Sequence, residues 1–203
     1  MLGYLLVEHR KKELVRLNPT KMLVPSTDRI LDKVALAMKW VTKYRLMDRR
    51  GGYHYFLNHS TGIPVLAPTL IGEVPNCQKA GKYKRLSAEK GNRLSVARDL
   101  VSNSAPPDVV QKVSFSSFGT RNETKGRWGG AIFAQQTRPK LTEGAYPELI
   151  LSFSGFSEYQ DEAVMVIAAI ELGIMSVDEA LLIANISKNY TIFAYLTILN
   201  EGF

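Results

Sequence analysis

The sequence predicts an α+β fold: a largely antiparallel sheet of about five strands flanked by helices, with a helical C-terminal extension. Three observations lead there. Apolar residues recur at three- and four-residue spacing in two stretches of the first half. Short runs rich in aromatic and β-branched residues, bounded by glycine, proline and asparagine, occupy the middle. Beyond Ser154-Gly155 the composition turns to helix. A chain of 203 residues is long enough for one self-sustaining core. It divides into a basic α+β body, residues 1–155, and an acidic helical part, residues 156–203, expected to pack on the same domain.

The first helix starts at Pro25-Ser26-Thr27-Asp28, where Ser26 and Thr27 offer capping hydroxyls. Ile30, Val34, Ala37, Met38, Val41 and Tyr44 then form an apolar stripe opposite Arg29, Lys33, Lys39 and Lys43. After a turn at 48–52, residues 53–57 and 63–66 form a hairpin around Asn58-His59-Ser60-Thr61-Gly62. Pro64, Pro68 and Pro75 make the next stretch irregular or place it at a sheet edge. Ser87 caps a second helix whose Leu94, Ala97, Leu100 and Val101 form its buried side, and Ala105-Pro106-Pro107 ends it.

Strand candidates follow at 111–118, 129–135 and 148–153. A helix over 161–174 ends near Gly173, and Ser176-Val177-Asp178-Glu179 is a capping box that opens the next. Residues 190–199 are apolar throughout, and their periodicity fits helix or strand.

Charge is distributed unevenly. Residues 1–142 carry 25 Lys/Arg against 10 Asp/Glu, whereas residues 143–203 carry one Lys against nine Asp/Glu, which together give the net +7. The acidic helices can therefore neutralise the basic body or a second subunit, or serve as a docking surface in a structural or interaction role. Alternatively the basic part offers a patch to a polyanion such as nucleic acid.

Several classes are excluded. Cys77 is the single cysteine, so no internal disulfide framework, four-cysteine zinc site or cysteine-ligated iron–sulfur cluster can form within one chain. The apolar start, residues 1–7, is followed rather than preceded by basic residues, the reverse of a secretory signal. The most apolar run, 163–175, is short for a bilayer span, so a cytoplasmic protein with no membrane partner is expected. Walker, dinucleotide-binding, nucleophile-elbow and His-Glu-x-x-His motifs do not occur, and no reaction is assigned.

Two groups of candidate site residues stand out. Tyr53, His54 and His59 lie along one strand and its turn. Strand alternation puts the two histidines on opposite faces, although a bend at Asn58 would unite them. Either imidazole could ligate haem axially, with Tyr53, Tyr55 and Phe56 packing a flat macrocycle. No third ligand is spaced for a metal site. The second group is Lys79, Lys82, Tyr83, Lys84 and Arg85, cations that follow a phosphate backbone with an aromatic ring to stack on a base. Arg121, Lys125, Arg127 and Trp128 add a second strip.

Asp48-x-x-Gly51-Gly52, Lys79-Ala80, Gly129-Gly130-Ala131-Ile132, Ser152-Phe153-Ser154-Gly155 and Gln160-Asp161-Glu162-Ala163 follow a leading amphipathic helix in this order. In that order the chain resembles, over residues 28–172, the GlcG-type haem-binding family, which shares its fold with the C-terminal domain of certain corrinoid adenosyltransferases. The resemblance implies a sheet flanked by helices, a tendency to oligomerise, and a small-molecule or tetrapyrrole pocket. It carries over no catalytic residue.

Overall fold

The computed structural model describes residues 25–48, 50–74, 77–101, 115–135 and 148–201. The basic cluster at 9–12, the 105–107 helix stop and the first half of the 111–118 strand candidate lie outside them.

Helix α1, Thr27–Tyr44, begins where the Ser26 hydroxyl accepts the Arg29 N–H at 3.4 Å, and it buries Ile30, Val34, Ala37, Met38 and Val41. The expected stripe is therefore the buried one, except that Tyr44 lies beyond it, exposed and stacked on Trp40. Strands β1, Arg50–Asn58, and β2, Ile63–Glu73, form the antiparallel hairpin. Its turn closes through the Gly62 N–H to the Asn58 carbonyl, with Gly62 at φ +66°. β2 continues to Glu73 through Pro64 and Pro68, farther than its prolines suggested. It is an edge strand, so a proline nitrogen turned outward removes no ladder bond and blunts pairing with another chain.

Helix α2, Cys77–Val101, starts ten residues before the expected cap. Ser87 lies within it, buried, and its hydroxyl donates back to the Lys84 carbonyl at 2.9 Å. Such back-bonding is what a mid-helix serine does in place of capping. Leu94 is buried as expected, but Leu100 is 70% exposed because it falls on the outer side of the helix.

Strands β3, Ala131–Gln135, and β4, Glu148–Ser154, complete a sheet in the order β2-β1-β4-β3 with every neighbour antiparallel. Among the described residues the sheet has four strands, not five. At the end of the 111–118 candidate, Ser116 makes one isolated bridge to Ile132 before the chain tightens into a 3-10 turn, Ser117–Thr120.

Helix α3, Glu158–Leu172, buries ten of its 15 residues and stops at Gly173 in the left-handed conformation. Helix α4, Val177–Ser187, begins with both halves of the capping box formed around Ser176 and Glu179. Helix α5, Tyr190–Asn200, settles the ambiguous apolar segment as helix, with the Asn189 side chain accepting the Thr191 N–H. The larger core joins α1, one face of the sheet and α3 to α5; the smaller one lies between α2 and the other face, around Tyr55, Leu57, Leu94, Phe133 and Ile150. No helix among the described residues is long and apolar enough to cross a membrane.

Candidate functional site

The most elaborate polar arrangement is buried where α2 and the start of α3 meet the sheet. Along α2, Ser87, Lys90, Gly91 and Leu94 fall in the buried phase of a 3.6-residue period. Lys90 therefore points inward, donating to Asp161 Oδ2 at 2.7 Å and to the Phe153 carbonyl at 3.0 Å. Asp161 Oδ1 accepts the Gly155 N–H at 3.2 Å and the Phe156 N–H at 2.8 Å. Burial pushes the Asp161 carboxyl up, while Lys90 and the two N–H donors pull it down. Gly130, at φ +103°, leaves the space: a Cβ there would stand 2.7 Å from the Asp161 Cβ and 3.0 Å from the Lys90 nitrogen.

Next to it, Glu162 accepts the Ser116 hydroxyl on Oε1 and the Asn189 amide on Oε2 at 3.0 Å. Burial raises the Glu162 pKa to about 7 against the stabilising hydrogen bonds from Ser116, Ser187 and Asn189. Glu158 accepts the Gly129 N–H at 2.9 Å and pairs with Arg121 at 2.8 Å. Gly129-Gly130, Phe153 to Phe156 and Glu158 to Glu162 therefore meet in one polar junction that ties α2, the sheet and α3 together. Lys90, Asp161, Glu162, Ser116 and Asn189 are buried in it, and the Glu158–Arg121 pair reaches the surface.

The histidines do not come together. His54 is wholly buried on the α1/α3 face of β1, edge-on to Phe56 with 5.8 Å between ring centroids. Neither ring nitrogen has a hydrogen-bond partner; the Thr69 backbone acts on it electrostatically but falls short of a bond. Burial lowers the His54 pKa to about 4. His59 lies on the α2 face: its Nδ1 is 2.9 Å from the Ser95 hydroxyl, its Nε2 3.5 Å from Asp99, and its ring meets Phe133 edge-on. Tyr53 is half-buried between Leu70 and Ser154 in the ladder. The bend that would unite the two imidazoles does not occur. The open depression of about 470 Å³ beside α1 lies elsewhere, lined by Met38, Lys39, Thr42, Met47, Arg50 and Glu73 among others. No group of three or more metal-ligating side chains gathers among the described residues.

The second candidate group takes a definite form because residues 79–85 are helical. At 100° per residue, Lys79 and Lys82 share one flank of α2 with Glu89 and Arg93, Arg85 rides the outer crest, and Lys84 takes the opposite flank. Lys79, Lys82, Lys84 and Arg85 are exposed; Tyr83 is half-buried and turned toward the sheet. The exposed aromatic ring on this side is that of Trp128, at 40%. Arg93 joins the helix to the second strip, donating to Thr120 Oγ1 at 3.4 Å and to the Trp128 carbonyl. Burial lowers the Arg93 pKa; nearby Glu89 raises it and Arg127 lowers it, so the helix flank and the loop carrying Arg127 share one electrostatic neighbourhood.

Sequence reasoning thus found the cations of the surface and missed Lys90, Ser116, Glu158 and Asn189 of the interior. The signal for Lys90 was present in its spacing from Ser87 and Leu94. No family model, curated protein or solved structure matches the chain.

Proposed function

We propose that this protein is a non-catalytic polyanion-binding module that grips the phosphate backbone of a nucleic acid along the outer side of α2 and the adjoining loop of residues 121–128. The observation that carries this reading is a division of labour among charges. Several carboxylates of residues 143–203 are engaged within the chain: Asp161 with Lys90, Glu158 with Arg121, Glu171 with Lys33 and the Tyr195 hydroxyl, and Glu148 near Arg98. Among the described residues no ion pair engages Lys79, Lys82, Lys84, Arg85, Lys125 or Arg127, all exposed. Exposed cations along α2 and its adjoining loop that no acid of the described residues neutralises are the electrostatic footprint of a polyanion partner.

The test is the affinity for a labelled oligonucleotide as salt rises. Contacts to about four phosphates give a log–log slope of about −3, and neutralising Lys79, Lys82 and Arg127 together flattens it. Binding that does not respond to salt removes the reading.

A second reading, small-ligand binding, has the depression beside α1 in its favour. Met38 and Met47 supply apolar surface there, and Lys39, Lys43 and Arg50 supply charge for an anionic amphiphile. Haemin, with two carboxylates on an apolar ring, is the probe. A Soret shift on titration supports this reading, and an unshifted spectrum at tens of micromolar protein removes it.

A further inference from the structure

The loop beside α2 presents an aromatic ring on a backbone fixed from both sides. Asn122 and Arg127 exchange two backbone hydrogen bonds at 2.9 and 2.8 Å, and Gly126 turns between them at φ +64°. The Asn122 side chain accepts the Lys125 N–H at 3.1 Å and the Thr124 hydroxyl at 2.8 Å. Arg93 holds the Trp128 carbonyl from the α2 side, and Glu158 holds the Gly129 N–H from the α3 side. The Trp128 ring stands out from this frame with the Arg121 guanidinium 5.9 Å from its centroid. Across Gly129, the Phe118 ring packs on Tyr159, which is itself 38% exposed. The exposed Trp128 ring therefore adjoins Arg127 in the chain, and the α2 flank, about 21 Å long from Lys79 to Arg93 at 1.5 Å per residue, adds Lys79, Lys82 and Arg93 with Glu89 between the last two.

A double helix keeps the faces of its bases stacked inside and offers phosphates and base edges, but no base face. A single strand offers both phosphates and base faces, and an aromatic platform beside a cationic track suits it. Resting on the polyanion reading above, we infer that the partner is a single-stranded nucleic acid, with one base stacked on Trp128 while its phosphates follow Arg127, Lys82 and Lys79. The fixed backbone on both sides of Trp128 means that little freedom is lost on stacking.

The experiment uses the full-length chain with three probes: a 16-nucleotide oligothymidylate, a 16-base-pair duplex, and heparin, which has charge but no bases. Trp128→Ala is expected to weaken oligothymidylate binding about tenfold, the size of one lost stacking contact, and to leave heparin unchanged. Trp128→Phe recovers most of the loss. In a Trp40→Phe background, which leaves Trp128 as the single tryptophan, oligothymidylate quenches the emission and heparin does not. These last two readouts decide the matter should Trp128→Ala unfold. If all three probes bind with steep salt dependence but Trp128→Ala, Trp128→Phe and quenching show no difference between oligothymidylate and heparin, stacking is overturned and the polyanion reading stands. If none of the three binds at low salt, both fall.

Discussion

Lys82 and Lys90 stand about two turns apart on the same helix, and their surroundings are opposite. Lys90 is 3% exposed and bonded to a carboxylate and a carbonyl, whereas Lys82 is exposed and engaged by no ion pair among the described residues. The same contrast divides the molecule. Around α3 the charges are internal and hold elements together; on the outer side of α2 they are external and hold nothing of the protein itself. A lysine's role here follows from its phase on the helix, not from its place in a basic run. Lys90 shares its phase with Ser87 and Leu94; Lys82, turned about 80° from Lys90 and farther from the other two, falls on the exposed flank.

The comparison breaks most visibly at the buried pair. Lys90→Ala leaves the Asp161 carboxyl buried without its cation, and removal of one member of such a pair costs about 3–5 kcal/mol. Urea unfolding should show this loss, and a change below 1 kcal/mol would mean that the junction is not a structural tie. The double variant Lys90→Met, Asp161→Leu should regain much of the stability, because no orphaned charge is left behind.

The interior should also titrate. Glu162 has its pKa raised from 4.5 to about 7, so its contribution is complete below pH 4.5 and lost as pH rises through 7. His54 is shifted the other way, from 6.5 to about 4, so its contribution is present above pH 6.5 and lost as pH falls toward 4. Each amounts to on the order of 3 kcal/mol, and between pH 4.5 and 6.5 the two oppose each other. Glu162→Gln should expose a steep decline in stability on acidification. His54→Phe should make the protein more stable as pH falls from 7 to 4.5. Urea midpoints across this range check both signs, and profiles identical to wild type would contradict the burial of these groups.

Gly130→Ala sharpens the contrast without touching charge. The strained φ and the approach of the new Cβ to Asp161 and Lys90 should together remove about 1–3 kcal/mol, read as a lowered thermal midpoint. Gly126→Ala tests the loop separately, because its Cβ meets nothing and conformational strain alone remains, about 1 kcal/mol. The smallest effect belongs to the surface: Lys79→Gln and Lys82→Gln should each change stability by less than about 0.5 kcal/mol.

What the sequence revealed follows the same division. The stripe of α1, the hairpin, β4 and the Ser176 capping box were legible because each is a local pattern of period, turn or cap. The start of α2 was misplaced since Ser87 looks like a cap from its neighbours alone, and only the sheet packed against it shows that it is interior. Of the 111–118 candidate the described residues show one bridge at Ser116, whose side chain turns to Glu162, a partner 46 residues away. Strand alternation already placed His54 and His59 on opposite faces, and the structure shows that no bend at Asn58 brings them together. Glu158 and Asn189 act through contacts far apart in the chain that local pattern does not contain, whereas the inward phase of Lys90 was legible from Ser87 and Leu94 and only its partner Asp161 was not.

The most direct test measures two quantities on two variants, Lys82→Gln and Lys90→Met: unfolding free energy, and the salt slope of oligonucleotide binding determined at a temperature where both remain folded. The account predicts a crossed result. Lys82→Gln keeps its stability and loses close to one phosphate's share of the slope, about 0.7 for a single strand, while Lys90→Met loses stability and keeps the slope. An unchanged slope in Lys82→Gln together with full stability in Lys90→Met would contradict it.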